Sequence, residues 1–167
     1  MTFEDYVAAR GPALVRLARL LTGDRHRAED LVQEVLGRAY VRWRSISRKD
    51  RPDVYVRRML VNADASWWRR RSSRETPVAS EVMAVVVDRS AASRADADPG
   101  AAAAERDAVW RLVAALPERQ RAVLALRYYE DLDDATIAEI LGCSPATVRT
   151  HAMRALAALR TRHPVNR

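Results

Sequence analysis

The sequence predicts an all-α protein made of two small helical domains joined by a flexible linker. Three observations predict this fold. Ala, Leu, Arg and Glu are abundant, whereas only 5 of the 167 residues are glycine. Apolar residues recur at helical spacing in two blocks, and a stretch without periodicity separates the blocks. We place the first domain at residues 1–71, the linker at 72–104 and the second domain at 105–162.

Two helices are predicted at the start of the first domain. Phe3–Ala9 is short, and Gly11-Pro12 separates it from Ala13–Leu21, because proline removes a helical hydrogen bond. Asp24 follows the second helix, and its carboxylate can cap the start of the next one.

The third predicted helix has two different faces. Apolar side chains from Ala28 to Trp43 recur at spacings of three and four residues, which places this face in the core. An acidic opposite face with an exposed valine, inside an otherwise basic domain, indicates a protein contact. The alternative interpretation is a face that is exposed to solvent and contacts no partner. The opposite face carries Asp30, Gln33, Glu34, Gly37 and Val41.

A fourth helix is predicted from Pro52 to about Arg71, and it is apolar on almost every side. Aromatic rings at Trp67 and Trp68, beside arginines, favour binding of single-stranded DNA. Core tryptophans, flanked by arginines whose charged ends extend into solvent, fit the spacing equally well. A narrow polar wedge between the apolar sides holds Arg58, Asn62, Ser66 and Arg69.

Two further helices are predicted at the start of the second domain. The first includes Val109–Leu116 and is stopped by Pro117. The second spans Glu118–Tyr129, with Ala122, Val123, Leu126 and Tyr129 on one side. The acidic turn 130–134 follows.

Residues 136–156 predict a helix-turn-helix, whose second helix would enter the major groove of DNA. Gly142 ends the first helix, since glycine enters the left-handed region without strain. Ser144 is a natural N-cap and Pro145 suits the first position of the second helix. An ordinary helical hairpin is the alternative. Side chains facing away from the apolar stripe of the second helix, or flanking it, are Ala146, Thr147, Arg149, Thr150, His151, Met153 and Arg154.

Charge and composition narrow the function. The net charge is +7, and residues 1–71 hold 16 Arg and Lys against 9 Asp and Glu. This favours a nucleic-acid binder. Cys143 is the single cysteine, which excludes an internal disulfide. The longest strongly apolar run, Val82–Val87, is too short to span a bilayer. We expect a cytoplasmic protein with no cofactor, metal, catalytic residue, small-molecule substrate or membrane insertion.

Several motifs resemble those of one family. Ala28–Glu34, Tyr55–Asn62 and Trp67–Arg71 resemble region 2 of bacterial RNA polymerase sigma factors. Leu116–Leu132, together with the helix-turn-helix, resembles region 4. A chain that contains only these two regions, joined by a linker, resembles the extracytoplasmic-function class of sigma factors. The abundance of Arg and Ala resembles the actinobacterial sigma-E-type branch of that class.

The resemblance implies an alternative sigma factor without enzymatic activity. Such a protein binds core RNA polymerase and promoter DNA, directs promoter recognition and DNA melting, and is controlled by an anti-sigma factor. The polymerase clamp would contact Asp30, Gln33 and Glu34. The loop Ser45–Pro52 would hold a flipped base of the −10 element.

The same resemblance assigns the promoter contacts. Asp64, beside the wedge of the fourth helix, and His151 are departures from the family pattern. The wedge would contact the −10 element through Arg58, Asn62, Ser66 and Arg69. The second helix of the helix-turn-helix would contact the −35 element through Thr147, Arg149, Thr150, His151 and Arg154.

Two other interpretations differ in what they leave unexplained. A helix-turn-helix regulator that acts without polymerase would not need the acidic face of the third helix or the tryptophans of the fourth. A sigma-like decoy for an anti-sigma factor would not need an intact recognition helix.

Overall fold

The computed structural model describes residues 1–74 and 101–162, and these residues form helices and turns with no strand among them. Most of the predicted linker, including Val82–Val87, falls in residues 75–100, which lie outside the described residues. Its predicted ends at 72 and 104 lie in the helices on either side of them. The helices are α1 (Phe3–Thr22), α2 (Arg25–Val41), α3 (Trp43–Ile46), α4 (Pro52–Arg74), α5 (Ala101–Ala114), α6 (Glu118–Leu124), α7 (Asp134–Leu141) and α8 (Pro145–Arg162), with a π-helical segment at Ala125–Tyr129.

The first helix is continuous, and the predicted break at Gly11-Pro12 is wrong. α1 runs through Pro12, whose ring faces solvent. Tyr6 and Leu14 lie on either side of the proline, and both are only 1% exposed. One continuous helix buries both side chains, and this packing offsets the roughly 3 kcal/mol that an interior proline costs.

The predicted core face of the third helix is confirmed. Asp24 accepts a hydrogen bond from the backbone N–H of Arg27 at 3.1 Å and starts α2. The helix ends at Val41, two residues before the end of its apolar stripe, and Trp43 begins the short α3. The Trp43 ring nevertheless packs against Tyr6, with ring centroids 4.9 Å apart. The buried residues of α2 are Ala28, Leu31, Val32, Val35 and Ala39.

The predicted placement of Tyr129 with the buried side of its helix is wrong. The backbone N–H of Glu130 donates to the Ala125 carbonyl at 3.1 Å, a π-type bond that inserts one extra residue into the turn. The residues that follow are therefore rotated relative to an α-helix. Tyr129 is 41% exposed and its ring meets the edge of Trp110 instead.

The two halves of the chain share a continuous apolar core. α7 packs on α4, and the π-helical segment packs on α1. Leu60 of α4 and Ile137 and Ile140 of α7 are fully buried in one cluster that extends from α1 to α8. The helix-turn-helix is therefore held against the helix that carries the polar wedge.

Candidate nucleic-acid and protein interfaces

The acidic face of α2 lies on the surface, as its spacing predicts. Asp30, Gln33 and Glu34 are all exposed. Glu34 pairs with Arg38 at 2.6 Å, but both side chains remain well exposed, so this ion pair contributes little stability. Val41, at the end of the same helix, is 83% exposed. An apolar side chain beside exposed carboxylates is suited to contact with another protein.

The wedge of α4 is accessible, but its four members do not form one site. Asn62 and Ser66 line a cleft of about 500 Å³ between α2 and α4. Arg58 is exposed but lies toward α7, where one of its guanidinium nitrogens comes within 3.6 Å of the position a Cβ would take on Gly142. Arg69 is exposed further along the helix and does not line the cleft. Other lining residues of the cleft are Val35, Arg38, Val41, Arg42, Met59 and Ala63.

A second cleft lies beside the basic connection between α3 and α4. Its volume is about 600 Å³, and it is open to solvent on one side of Tyr55. The Lys49 ammonium lies 4.9 Å from the centre of the Tyr55 ring. Guanidinium groups, a hydroxyl and an aromatic ring in one cleft can bind a phosphate and stack on a base. The cleft is lined by Val41, Arg42, Arg44, Ser45, Ile46, Arg48 and Tyr55.

The local chemistry predicted for the helix-turn-helix is confirmed. Gly142 ends α7 at φ +66°, in the left-handed region. The Ser144 hydroxyl accepts a hydrogen bond from the backbone N–H of Thr147 at 3.1 Å, and Pro145 begins α8. Arg119 donates to the Leu141 carbonyl at 2.9 Å and ties α6 to the turn. These bonds fix the direction in which α8 leaves the turn.

α8 buries one side and exposes the other, as its periodicity predicts. Val148, Ala152 and Ala155 are buried. Thr147, Arg149 and Arg154 are exposed, and Thr150 and His151 are half-buried. Partial burial, followed by the charges of Arg119 and Arg154, lowers the pKa of His151 below its usual 6.5. At neutral pH this imidazole is therefore uncharged and can act as a hydrogen-bond donor and acceptor.

The expectation that Asp64 adds an acid to the DNA-facing wedge is wrong. Its side chain is 2% exposed and pairs with Arg27 of α2 at 2.5 Å. Burial raises the pKa of Asp64 to about 6, against the attraction of Arg27 and Arg121. Asp64 thus lies inside the protein, on the side of α4 opposite to solvent.

The tryptophans of α4 pack against arginines of the protein. The Arg27 guanidinium carbon lies 3.3 Å from the centre of the Trp67 ring, and the two indoles meet edge to face at 5.0 Å. Arg121 of α6 approaches the Trp68 ring at 5.3 Å. Both rings are half-buried. Of the two interpretations left open by the sequence, the structure therefore supports packed tryptophans beside arginines.

An ion-pair network between the two domains was not predicted. Arg57 of α4 donates to Glu130 through Nη2 at 2.6 Å and through Nε at 3.1 Å, and both side chains are 8% exposed. Arg57 also donates to Asp53, which accepts from the Tyr6 hydroxyl at 3.1 Å. A signal was present in the sequence, since Arg57 and Asp64 lie at helical spacing from Val61 on an apolar side of the helix. A charge at such a position requires a buried partner.

The part of the chain that the structure describes contains neither a candidate metal site nor a candidate membrane-spanning helix. Within residues 1–74 and 101–162, no group of three or more His, Cys, Asp or Glu side chains could hold a metal ion. None of the described helices is both long and apolar enough to cross a membrane.

Comparisons with known proteins agree with this arrangement of two helical units. Residues 6–74 match the model of sigma-70 region 2, and residues 106–159 match that of sigma-70 region 4. The chain is 37% identical over 160 residues to the RNA polymerase sigma-E factor of Streptomyces avermitilis, covering 96% of this chain and 84% of that protein. It is 36% identical over 160 residues to the sigma-E factor of Streptomyces coelicolor, with 96% and 85% covered.

A solved structure shares the whole fold. The co-crystal structure of the sigma factor RpoE in complex with the anti-sigma factor NepR from Bartonella quintana superposes with a TM-score of 0.74. The sequences are 22% identical, and the match covers 99% of this chain and 98% of that one. The structure of CnrH in complex with the cytosolic domain of CnrY gives a TM-score of 0.64 at 20% identity, with 95% and 85% covered.

The fold and its exposed surfaces define a DNA-binding transcription factor with one helical unit at each end of the chain. The chain belongs to the sigma-70 family of RNA polymerase sigma factors, in the extracytoplasmic-function class, and is similar to its sigma-E members from Streptomyces. It is an alternative sigma factor that directs core RNA polymerase to promoters and initiates transcription there.

Proposed function

We propose that the exposed surfaces of α2, α4 and α8 each bind a different partner during transcription initiation. The acidic face of α2 binds the polymerase clamp, the wedge of α4 binds the melted −10 element, and α8 binds the −35 element as duplex. The observation that carries this division is the exposure of a polar face on each of three helices whose apolar sides pack in the core. The protein acts without catalysis of its own, and in the cytoplasm, where its polymerase and promoters are found.

The proposed residues follow from the exposure of each helix. On α2 the polymerase-binding residues are Asp30, Gln33 and Glu34. On α4, Asn62 and Ser66 contact the −10 element in the cleft next to α2, with Arg58 and Arg69 on the strand's phosphates. The loop Ser45–Pro52 holds an extruded base in the second cleft, beside Tyr55. Extruding a base costs a few kcal/mol, which stacking and hydrogen bonds in such a cleft return. On α8 the −35 contacts are Thr147, Arg149, Thr150, His151 and Arg154.

The domain boundaries at 1–71, 72–104 and 105–162 are part of the same proposal. Connecting two half-sites by one chain raises the effective concentration of the second once the first is bound. Polymerase fixes the spacing between them, so neither domain needs to bind DNA tightly alone.

A reconstituted transcription reaction tests whether the protein initiates transcription and whether the acidic face of α2 binds polymerase. The full chain, mixed with an actinobacterial core polymerase, should give run-off transcripts from a promoter bound by the sigma-E relatives. Asp30→Asn and Glu34→Gln should weaken binding to core polymerase by about tenfold each, because charged groups at the centre of an interface lose partners there. Glu29→Gln is the matched control, since Glu29 lies on the same helix but pairs with Arg19 and Arg25. No transcript with several cores, or equal loss in the control, would contradict the proposal.

An anti-sigma protein is proposed as the regulator. Two of the solved structures with this fold are described as a sigma factor bound by the anti-sigma factor NepR and as CnrH bound by the cytosolic domain of CnrY. Such a partner should compete with core polymerase for the chain. A competition assay between core polymerase and the anti-sigma protein of a sigma-E relative measures this, and simultaneous binding of both would contradict it.

A further inference from the structure

We propose that Val41 and Arg42 form a ridge that separates two neighbouring bases of the melted −10 strand and directs one base into each of two clefts. Val41 is the apolar wedge between the bases, and Arg42 binds the phosphate that joins them. This inference rests on the proposed function, in which the −10 element contacts the cleft of Asn62 and the cleft of Tyr55. It adds the residues that divide the strand between those clefts.

The ridge is the border that the two clefts share. Val41 and Arg42 line the cleft of about 500 Å³ that contains Asn62, and they also line the cleft of about 600 Å³ that contains Tyr55. Among the described residues, these two alone line both clefts. Each volume lies in the range of about 300–1,000 Å³ that is usual for ligand sites. A strand that enters both clefts must therefore pass over these two side chains.

The clefts follow one another along a single face of α4. Tyr55 lines one cleft, and Met59, Asn62 and Ser66 line the other, at successive spacings of four, three and four residues. Tyr55 and Asn62 are thus about 10 Å apart along the helix axis. Stacked bases of one strand are only about 3.4 Å apart. Because the ridge stands between the clefts, two bases held on its opposite sides cannot remain stacked on each other.

The Val41 side chain has the properties of a wedge. It is 83% exposed and carries no polar group. A β-branched side chain has few rotamers and so keeps its shape when it meets a base. The backbone on either side is fixed, since Ala39 is fully buried and the Trp43 ring packs on Tyr6 and Phe3, with centroids 4.9 and 5.5 Å apart. Proteins that kink DNA insert apolar side chains between bases in this way.

The charge of the surface changes sign before the ridge. The acidic face of α2 ends at Glu34, and the next fifteen residues contain five cations and no acid. Of these five, Arg38 alone pairs with a carboxylate of the described residues, that of Glu34 at 2.6 Å. The ridge therefore belongs to a basic surface that attracts the phosphates of a strand. The five cations, all exposed, are Arg38, Arg42, Arg44, Arg48 and Lys49.

A contact with polymerase is the other use for an exposed valine near the acidic face, and the two uses predict different losses. If Val41 contacted polymerase, shortening its side chain would weaken formation of holoenzyme. If Val41 is the wedge, holoenzyme forms as before and binding of the −10 strand weakens. Affinity for core polymerase therefore separates the two.

The test uses holoenzyme, formed from the full chain and an actinobacterial core polymerase, with the single-stranded −10 element of a promoter bound by the sigma-E relatives. Two adjacent 2-aminopurines replace each neighbouring pair of bases in turn, because their coupled circular dichroism is present only while the two stack. Wild-type holoenzyme should abolish this signal at one step of the strand. Val41→Ala should restore the signal there and weaken binding of the unlabelled strand by up to about tenfold, since it removes two methyl groups from contact with the bases.

Two further valine variants control this result. Val41→Ile keeps a branched apolar side chain and should keep the bases separated. Val109→Ala is the matched control, because Val109 is an exposed valine of α5 that lines neither cleft. Its holoenzyme should bind and unstack the strand as the wild type does. Val41→Ala and the wild type should bind core polymerase equally well.

The salt dependence of strand binding tests Arg42. Arg42→Gln should reduce the slope of log affinity against log salt by about 0.7, because one phosphate contact to a single strand is lost. Arg16→Gln is the control, since Arg16 is exposed on α1 and lines neither cleft. An unchanged slope in Arg42→Gln would remove Arg42 from the ridge.

Three outcomes would overturn the ridge while leaving the proposed function intact. Wild-type holoenzyme could bind the strand with every step still stacked, or Val41→Ala could leave the same step separated. Alternatively, Val41→Ala could weaken binding to core polymerase as strongly as Glu34→Gln, which would assign Val41 to the polymerase contact. Failure of wild-type holoenzyme to bind the −10 strand at all would overturn the proposed function together with the ridge.

Discussion

The two helices assigned to promoter DNA, α4 and α8, are built differently. α8 is one-sided: Val148, Ala152 and Ala155 are buried, and its polar residues face solvent. α4 is enclosed on most sides by α1, α2 and α7, and it buries two charged residues, Arg57 and Asp64. Between Val54 and Trp68 of this helix, the exposed residues are Arg58 and Asn62 of the wedge.

This difference separates two tasks. A one-sided helix keeps its polar side in solvent while its other side packs in the core, so the DNA-binding residues of α8 take no part in that packing. α4 combines DNA contacts with the packing of both domains. Substitutions on its covered side should therefore change stability, whereas substitutions on the exposed side of α8 should change DNA affinity alone.

The largest expected effect lies on the covered side of α4. Asp64→Ala leaves Arg27 buried without its carboxylate partner and should lower the free energy of unfolding by about 3–5 kcal/mol. Arg154→Ala, on the exposed side of α8, should change it by less than about 0.5 kcal/mol. Urea unfolding followed by circular dichroism measures both. Equal effects would remove the distinction between the two helices.

Substitutions on the exposed side of α8 should change DNA affinity and not stability. At least one of Arg149→Ala and Arg154→Ala should weaken binding of holoenzyme to a −35 duplex by about 1–3 kcal/mol, with loss of discrimination at one base pair. Arg160→Ala, an exposed arginine further along α8, is the matched control. The assignment of α8 fails if the control loses as much affinity, or if neither variant changes sequence preference.

A pH dependence of stability between about pH 4 and 6 should arise at Asp64 of α4. Burial raises the pKa of Asp64 to about 6, so the folded state binds a proton more tightly than the unfolded state between about pH 4 and 6. The stability contributed by this group is fully present below about pH 4 and is lost as the pH rises through 6. The loss should reach about 3 kcal/mol at most.

The comparison that isolates this effect is wild type against Asp64→Asn in urea titrations at several pH values. The difference between the two proteins should change across pH 4–6 and stay constant from pH 7 to 8. A difference independent of pH would show that the Asp64 carboxyl keeps its ordinary pKa.

The smallest expected effect lies in the exposed wedge. Asn62→Ala removes a side chain able to hydrogen-bond a base edge in the cleft beside α2, and should weaken binding of the single-stranded −10 element by about 1 kcal/mol. Binding to the −35 duplex should not change. Fluorescence anisotropy of holoenzyme with each oligonucleotide measures this, with Ser73→Ala, exposed near the end of α4, as control. A loss on both oligonucleotides would indicate a folding defect.

Much of the local structure could be predicted from the sequence. The cap at Ser144, the left-handed Gly142 and the buried stripe of α8 depend on neighbouring residues, and all are as predicted. The exposed acidic face of α2 follows from the same periodicity. The predictions that failed depend on distant partners. α1 continues through Pro12 because Tyr6 and Leu14 must both reach the core, and Tyr129 turns outward because one π-type bond shifts the register.

By itself, the sequence determined the helical fold, the two family regions and the surfaces that face solvent, because helical periodicity and turn chemistry are local properties. Only the tertiary structure decided where the charges on the apolar side of α4 find their partners. Arg57 meets Glu130 and Asp64 meets Arg27, across separations of 73 and 37 residues. A charged residue on an apolar helix face indicates from the sequence that a buried partner is needed. Which residue becomes that partner depends on how the domains pack.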